Sequence, residues 1–170
     1  MNAARAYHTA ALLRDGKVLV AGGMGDRLLS LDSAELYDPA TGTWTLTNPM
    51  NHAHRFPLAA LLADGRVLVT SSGTNLSEIY NPANGTWSDL GEPANFPFRL
   101  ETASLLPDGK VLFEGIIRPG TSAGVVYDPL ARSWTPTSAI GTEFQGAVAT
   151  LLRNGQVLVA GAISDGRAFS

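Results

Sequence analysis

The sequence has no cysteine. That excludes disulfides, thiolate metal sites and cysteine nucleophiles from this chain, without fixing a compartment. Charge is also scarce. Charged residues make up 16% of the chain, and 12 basic against 15 acidic side chains leave a net charge of −3. With no basic run or stripe, nucleic acid is not an expected partner. Long apolar runs are missing too. The longest, Leu58 to Ala63, has six residues, against roughly 20 for a membrane-spanning helix, so no membrane insertion is expected. Met1 to Arg5 leads into patterned sequence with no apolar signal core.

Glycine and proline, by contrast, are spread throughout, with 18 and 10 residues. They favour short strands and tight turns over long helices. Hydrophobic residues at 45% fit a globular chain.

The chain repeats itself. Leu12-Leu13-Arg14-Asp15-Gly16-Lys17-Val18-Leu19-Val20 returns at Leu61–Val69, at Leu105–Phe113 and at Leu151–Val159. The central turns, Asp15-Gly16, Asp64-Gly65, Asp108-Gly109 and Asn154-Gly155, are spaced by 49, 44 and 46 residues. A second signature follows the first three copies: Tyr37 and Trp44, Tyr80 and Trp87, Tyr127 and Trp134, always seven apart. A fixed spacing inside a variable period marks one rigid unit.

Asp-Gly or Asn-Gly between apolar runs predicts a β-hairpin with a two-residue type I′ turn. In the first copy strand A is expected at Tyr7–Leu13, B at Lys17–Ala21, C at Ala34–Tyr37 and D at Thr43–Thr47. The Val-Leu-Val of strand B is apolar on both pleat faces, so cover on both sides is expected. Four short antiparallel strands per copy make a propeller blade. The Tyr and Trp would then pack between blades.

The whole chain resembles the galactose-oxidase-type kelch repeats of bacteria. The resemblance rests on Gly22-Gly23, the three Tyr–Trp pairs, the basic residues Arg5 and Arg99 before strand A, and the strings His8–Leu13 and Ser33–Pro39. The double glycine is intact once; its equivalents are Ser71-Ser72, Gly115-Ile116 and Gly161-Ala162. The expectation is an all-β, partial kelch propeller of about three and a half blades. Their bounds are 5–50, 51–93, 94–137 and a half blade 138–170, with 14 strands. Either a longer chain or self-association would complete the ring. The resemblance also implies an extracellular or cell-envelope location.

Antiparallel order puts the D–A and B–C connections on one face and the A–B and C–D turns on the other. The A–B turns are uniform. The B–C connections vary, with 14, 8 and 11 residues from the second glycine position to the tyrosine. Variable loops on a rigid scaffold carry binding residues, and the resemblance implies the same face. Candidate ligand-binding residues there are His8, His52, His54, Arg55, Arg99, Glu101 and Arg118, with Asp26 and Arg27 in the first B–C loop. Aligned on the turns, His8, Pro57, Glu101 and Ala147 share one strand-A position, where His8 and Glu101 would line a polar channel mouth. His52 and His54, two apart, would lie on one side of an extended strand and could share a metal. Metal sites need three or more ligands, so solvated loop residues are the expectation. Arg55 and Arg99 would clamp an anion or pair with a local acid. Asn75-Leu76-Ser77 and Asn84-Gly85-Thr86 match the glycosylation triplet, but turn chemistry accounts for both asparagines.

No catalytic constellation emerges. Gly22-Gly23-Met24-Gly25 follows a strand but opens no helix, so it fails as a dinucleotide loop. The expected function is therefore a non-catalytic module, without cofactor, that binds a protein or a cell-surface glycan. The alternatives are a piece of a galactose-oxidase-like oxidase and a structural fragment. The resemblance implies a copper radical cofactor with a tyrosine–cysteine cross-link, which a chain without cysteine cannot build alone.

Overall fold

The computed structural model describes residues 1–71, 76–91, 99–118, 121–139, 144–163 and 168–169. The chain forms two compact units, Met1–Gly91 and Glu92–Ser170. Both are built of antiparallel sheets, and the fold is all-β.

The first unit holds two four-stranded sheets. One runs β1 (Thr9–Leu12), β2 (Val18–Ala21), β3 (Ala34–Asp38), β4 (Thr43–Leu46), and the other β5 (Pro57–Leu61), β6 (Val67–Ser71), β7 (Ser77–Asn81), β8 (Thr86–Asp89). The second unit holds a four-stranded sheet of β9 (Arg99–Leu105), β10 (Val111–Arg118), β11 (Thr121–Asp128) and β12 (Ser133–Ala139). It also holds a three-stranded sheet of β13 (Phe144–Leu151), β14 (Val157–Ile163) and β15 (Ala168–Phe169). Strands pair in sequence order, and the three four-stranded sheets are consistent with kelch blades of a partial propeller. The strand count differs from the expected 14, because β15 adds a third strand where only A and B were expected.

The A–B turns correct the expected turn type. Leu13 N–H donates to Lys17 O at 2.8 Å, so the loop has three residues, and Gly16 N–H donates to Leu13 O at 3.1 Å. Glycine alone takes the left-handed conformation, with φ of 85°, 89°, 83° and 83° at Gly16, Gly65, Gly109 and Gly155. This is the hairpin closed by a left-handed glycine bulge. The acid has another task. The Oδ1 of Asp15, Asp64, Asp108 and Asn154 accepts the N–H two residues on, at 3.1, 3.0, 3.2 and 3.0 Å, which is the Asx-turn chemistry of these residue types.

The C–D turns explain the seven-residue spacing. Tyr37 lies directly opposite Trp44, Tyr80 opposite Trp87 and Tyr127 opposite Trp134, with ring centroids 4.9, 4.9 and 4.7 Å apart. Such cross-strand aromatic pairs stabilise a hairpin. At the turn, Gly42 and Gly85 take φ of 69° and donate to Asp38 O and Asn81 O at 2.8 Å. Asn84 Oδ1 accepts Thr86 N–H at 3.2 Å, so its side chain serves the turn; Asn75 lies outside the described residues. In the third sheet Arg132, with φ of 52°, replaces the glycine. A non-glycine residue there costs about 1–2 kcal/mol, partly offset by the unfolded-state entropy that glycine restores. Arg132→Gly should therefore stabilise the second unit by about 0.5–1 kcal/mol, read as a higher denaturant midpoint with unchanged m.

The core of the first unit draws on both of its sheets. Leu13, Leu19, Ala21 and Ala34 pack with Val67, Val69, Tyr80 and Trp87. Trp87 Nε1 donates to Asn48 O at 2.9 Å, so its indole is both buried and satisfied.

Candidate functional site

Two strand-C carboxylates fix the chain segments that enter strand A in the first unit. Glu35 accepts the N–H of Asn2 at 2.6 Å and of Ala3 at 3.0 Å, and Arg5 Nη2 at 3.0 Å. Arg5 also donates to Gly22 O and Ser33 O at 3.0 and 2.9 Å. One blade later Glu78 accepts the N–H of Asn51 at 2.8 Å and of His52 at 2.9 Å. His54 Nε2 donates to Glu78 at 3.0 Å, and Ser71 Oγ lies 2.9 Å from His54 Nδ1. The Arg5–Glu35 and His54–Glu78 side chains are fully buried. His54 is thus the counterpart of Arg5. The pattern Glu-x-Tyr on strand C, with a basic side chain three residues beyond the first clasped amide, is a repeated clasp. Burial pushes the Glu35 carboxyl up, but the Asn2 and Ala3 amides and Arg5 outweigh it and hold the group below its ordinary value.

The first B–C loop threads between these two clasped segments. Met24 exchanges hydrogen bonds with Ala6 at 2.8 Å, and Leu31 bridges to His54. A short turn of 3-10 helix, Asp26–Leu28, forms the loop tip. Gly22 and Gly23 make this close passage possible, with φ of 64° and 93° and the carbonyls of His54 and Ala6 against them.

This arrangement holds two aromatic rings out in solvent. Tyr7 and Phe56 occupy matching positions, each two residues beyond the clasped Arg5 or His54 side chain. They are 61% and 42% exposed, with ring centroids 4.9 Å apart at 57°. The Arg55 guanidinium lies 5.0 Å from the Phe56 centroid. Both rings sit on left-handed backbone, at φ of 54° and 50°, and so do Arg27 and Leu28 at the loop tip, both at 59°. Such strain costs of order 1–3 kcal/mol per residue and gathers at functional sites. Leu28 and Leu29 are 68% and 65% exposed.

Of the residues expected on this face, His8 is exposed beside Tyr7, and Arg55 is exposed against Phe56. His52 is half-exposed, 3.6 Å from Asp89, while His54 is in the core. The two histidines therefore do not share one surface, because the clasp draws only His54 inward. Among the described residues no three acids or histidines converge as a metal site. Arg99 and Glu101 pair with each other at 2.7 Å, and Glu101 also accepts Gly146 N–H at 2.9 Å. Glu101 lies in a bulge that sets Leu100 opposite Gly115, and a second irregularity lies between Gln145 and Val148. The expected common position of His8, Pro57, Glu101 and Ala147 is thus lost in the second unit, where an extra residue shifts the strand. Arg118 ends β10 opposite Thr121, in a strand and not in a B–C loop.

The third sheet does not repeat the strand-C carboxylate. Val125 stands where Glu35 and Glu78 stand, two residues before the tyrosine. A different carboxyl, Glu114, is buried at the middle of the sheet, and its Oε2 has no hydrogen-bond partner. Burial pushes this carboxyl above its ordinary value of 4.5. A raised carboxyl favours the fold below the unfolded value and loses that advantage as pH rises through the folded one. Glu114→Gln is accordingly expected to raise the Tm of the second unit at pH 7 and to leave it unchanged near pH 4, measured by thermal unfolding at both pH values.

The sequence reading missed Tyr7, Phe56, Leu28 and Leu29. A usable signal was present: an aromatic residue recurs at the same repeat position, directly before His8 and Pro57. No curated protein matches this chain. Residues 5–51 match the family model of the kelch motif, and the four-stranded sheet they build is consistent with a kelch blade.

Proposed function

We propose that the chain is a non-catalytic binding module that engages its partner through the face of the D–A and B–C connections. One observation carries this reading: Tyr7 and Phe56 are held exposed, on strained backbone, at matching positions of two blades. Water-exposed rings on left-handed backbone oppose folding, and a partner that covers them supplies the compensation. The groups that gather are rings, aliphatic tips and a guanidinium, which is the chemistry of contact.

The strings His8–Leu13 and Ser33–Pro39 support a bacterial, galactose-oxidase-type origin for the repeat. A copper radical cofactor does not fit the residues, since the chain has no cysteine for the cross-link. We also propose that another blade, from the same polypeptide or a second copy, covers the outer face of the first sheet. Leu12 is exposed there, while its counterpart Leu61 packs against the core.

The functional reading is tested with immobilised panels of synthetic peptides and purified glycans. The expected result is saturable binding without conversion of the bound probe, lost in Arg55→Glu and retained in Leu130→Glu at an exposed C–D turn. Turnover, or loss of binding only in Leu130→Glu, would contradict it.

A further inference from the structure

We infer that the centre of this face is the cluster of Tyr7, Phe56 and Arg55, and that it takes a protein segment presenting an apolar side chain beside a carboxylate. The inference rests on the proposed binding face and names its occupant. The rings meet at 57°, so they open as a wedge and offer no flat shelf. The Arg55 guanidinium already lies over the Phe56 ring. A sugar ring stacks on a flat, open aromatic face; a wedge instead admits a Leu, Ile or Phe side chain. Leu28 and Leu29 are exposed near the tip of the loop that threads between the two clasped segments. Aromatic rings and arginine are also the residues that dominate protein–protein contacts.

The charge is specific as well. Among the described residues Arg55 has no ion-pair partner. Its stacking on Phe56 fixes the guanidinium at the rim of the wedge, where a carboxylate can take a charge-assisted hydrogen bond.

Because both rings sit at positive φ, glycine can replace them without opposing the backbone. Tyr7→Gly and Phe56→Gly thus separate binding from folding. The probes are synthetic peptides of about 12 residues with a central Leu or Phe flanked by Asp and Glu, the same peptides with Asn and Gln, and oligogalacturonate as a carboxylated sugar. Binding to the full chain is read by fluorescence anisotropy. The acidic peptides are expected to bind about tenfold more tightly than their amide versions. Each glycine variant should weaken them by about tenfold or more, on the scale of interface hot spots, while Tm holds or rises. Arg55→Gln should erase the preference for acid over amide.

Absence of saturable peptide binding, or equal binding by the glycine variants, overturns the inference. Oligogalacturonate binding that is lost in Tyr7→Gly, without peptide binding, overturns the protein partner and leaves the binding face standing. Peptide binding untouched by all three variants but lost in Leu130→Glu overturns both.

Discussion

Glu78→Ala is expected to destabilise the first unit by about 3–5 kcal/mol, because donors left without an acceptor cost about 1–3 kcal/mol each. The substitution strands three donors at once: the amides of Asn51 and His52 and the ring of His54. Buried donors without acceptors lose their solvation and gain nothing in return. Equilibrium unfolding in urea measures the effect, and Glu78→Gln should fall between Ala and the parent, since an amide offers one acceptor oxygen for these donors. Glu35→Ala should act in the same way on Asn2, Ala3 and Arg5. The sign of the pH dependence follows. Glu35 is held below its ordinary 4.5, so its contribution is complete above that value and is lost as pH falls through the folded one. Acid unfolding of the parent should steepen below about pH 4.5, and Glu35→Gln should flatten that limb.

Gly23→Ala is expected to cost about 2–4 kcal/mol, combining backbone strain with a contact that cannot relax locally. At φ of 93° an added Cβ would lie 2.5 Å from Ala6 O and 2.9 Å from His8 N. Both are backbone atoms, and Ala6 is tied to Met24 by paired hydrogen bonds at 2.8 Å. The segment before β1 must therefore move, and Tyr7 and His8 move with it. Loss of binding at the loop face should accompany the loss of stability. Gly42→Ala is the control: φ is 69°, and nothing lies within 4 Å of an added Cβ. It should cost only about 1–2 kcal/mol of conformational strain and leave binding unchanged. Thermal unfolding together with peptide binding separates the two cases.

The blades were legible because their signals are local. The Asp-Gly and Tyr-x6-Trp spacings each report on one hairpin, and the three four-stranded sheets follow from them. The turn type was not legible. Asp-Gly fits both a two-residue and a three-residue loop, and the choice lies in the register of Leu13 against Lys17. The bulges at Glu101 and near Ala147 were hidden for a related reason, since an extra residue in one strand shows only against its partner. His54 was read as a loop ligand because its acceptor, Glu78, is 24 residues away on another strand. Comparing the Arg5–Glu35 and His54–Glu78 pairs across the repeat would have found it. Tyr7 and Phe56 were overlooked because exposed aromatic residues before a strand look like core until the backbone places them outside.

Strand-C carboxylates clasp the entering segments and so hold Tyr7 and Phe56 on the surface. Hydrogen exchange at the amides of Asn2, Ala3, Asn51 and His52, in the parent and in Glu78→Ala, tests it most directly. The account predicts that all four amides are protected in the parent, with protection lost selectively at Asn51 and His52 in the variant. Rapid exchange at these amides in the folded parent, or equal loss at both pairs in the variant without global unfolding, would contradict it.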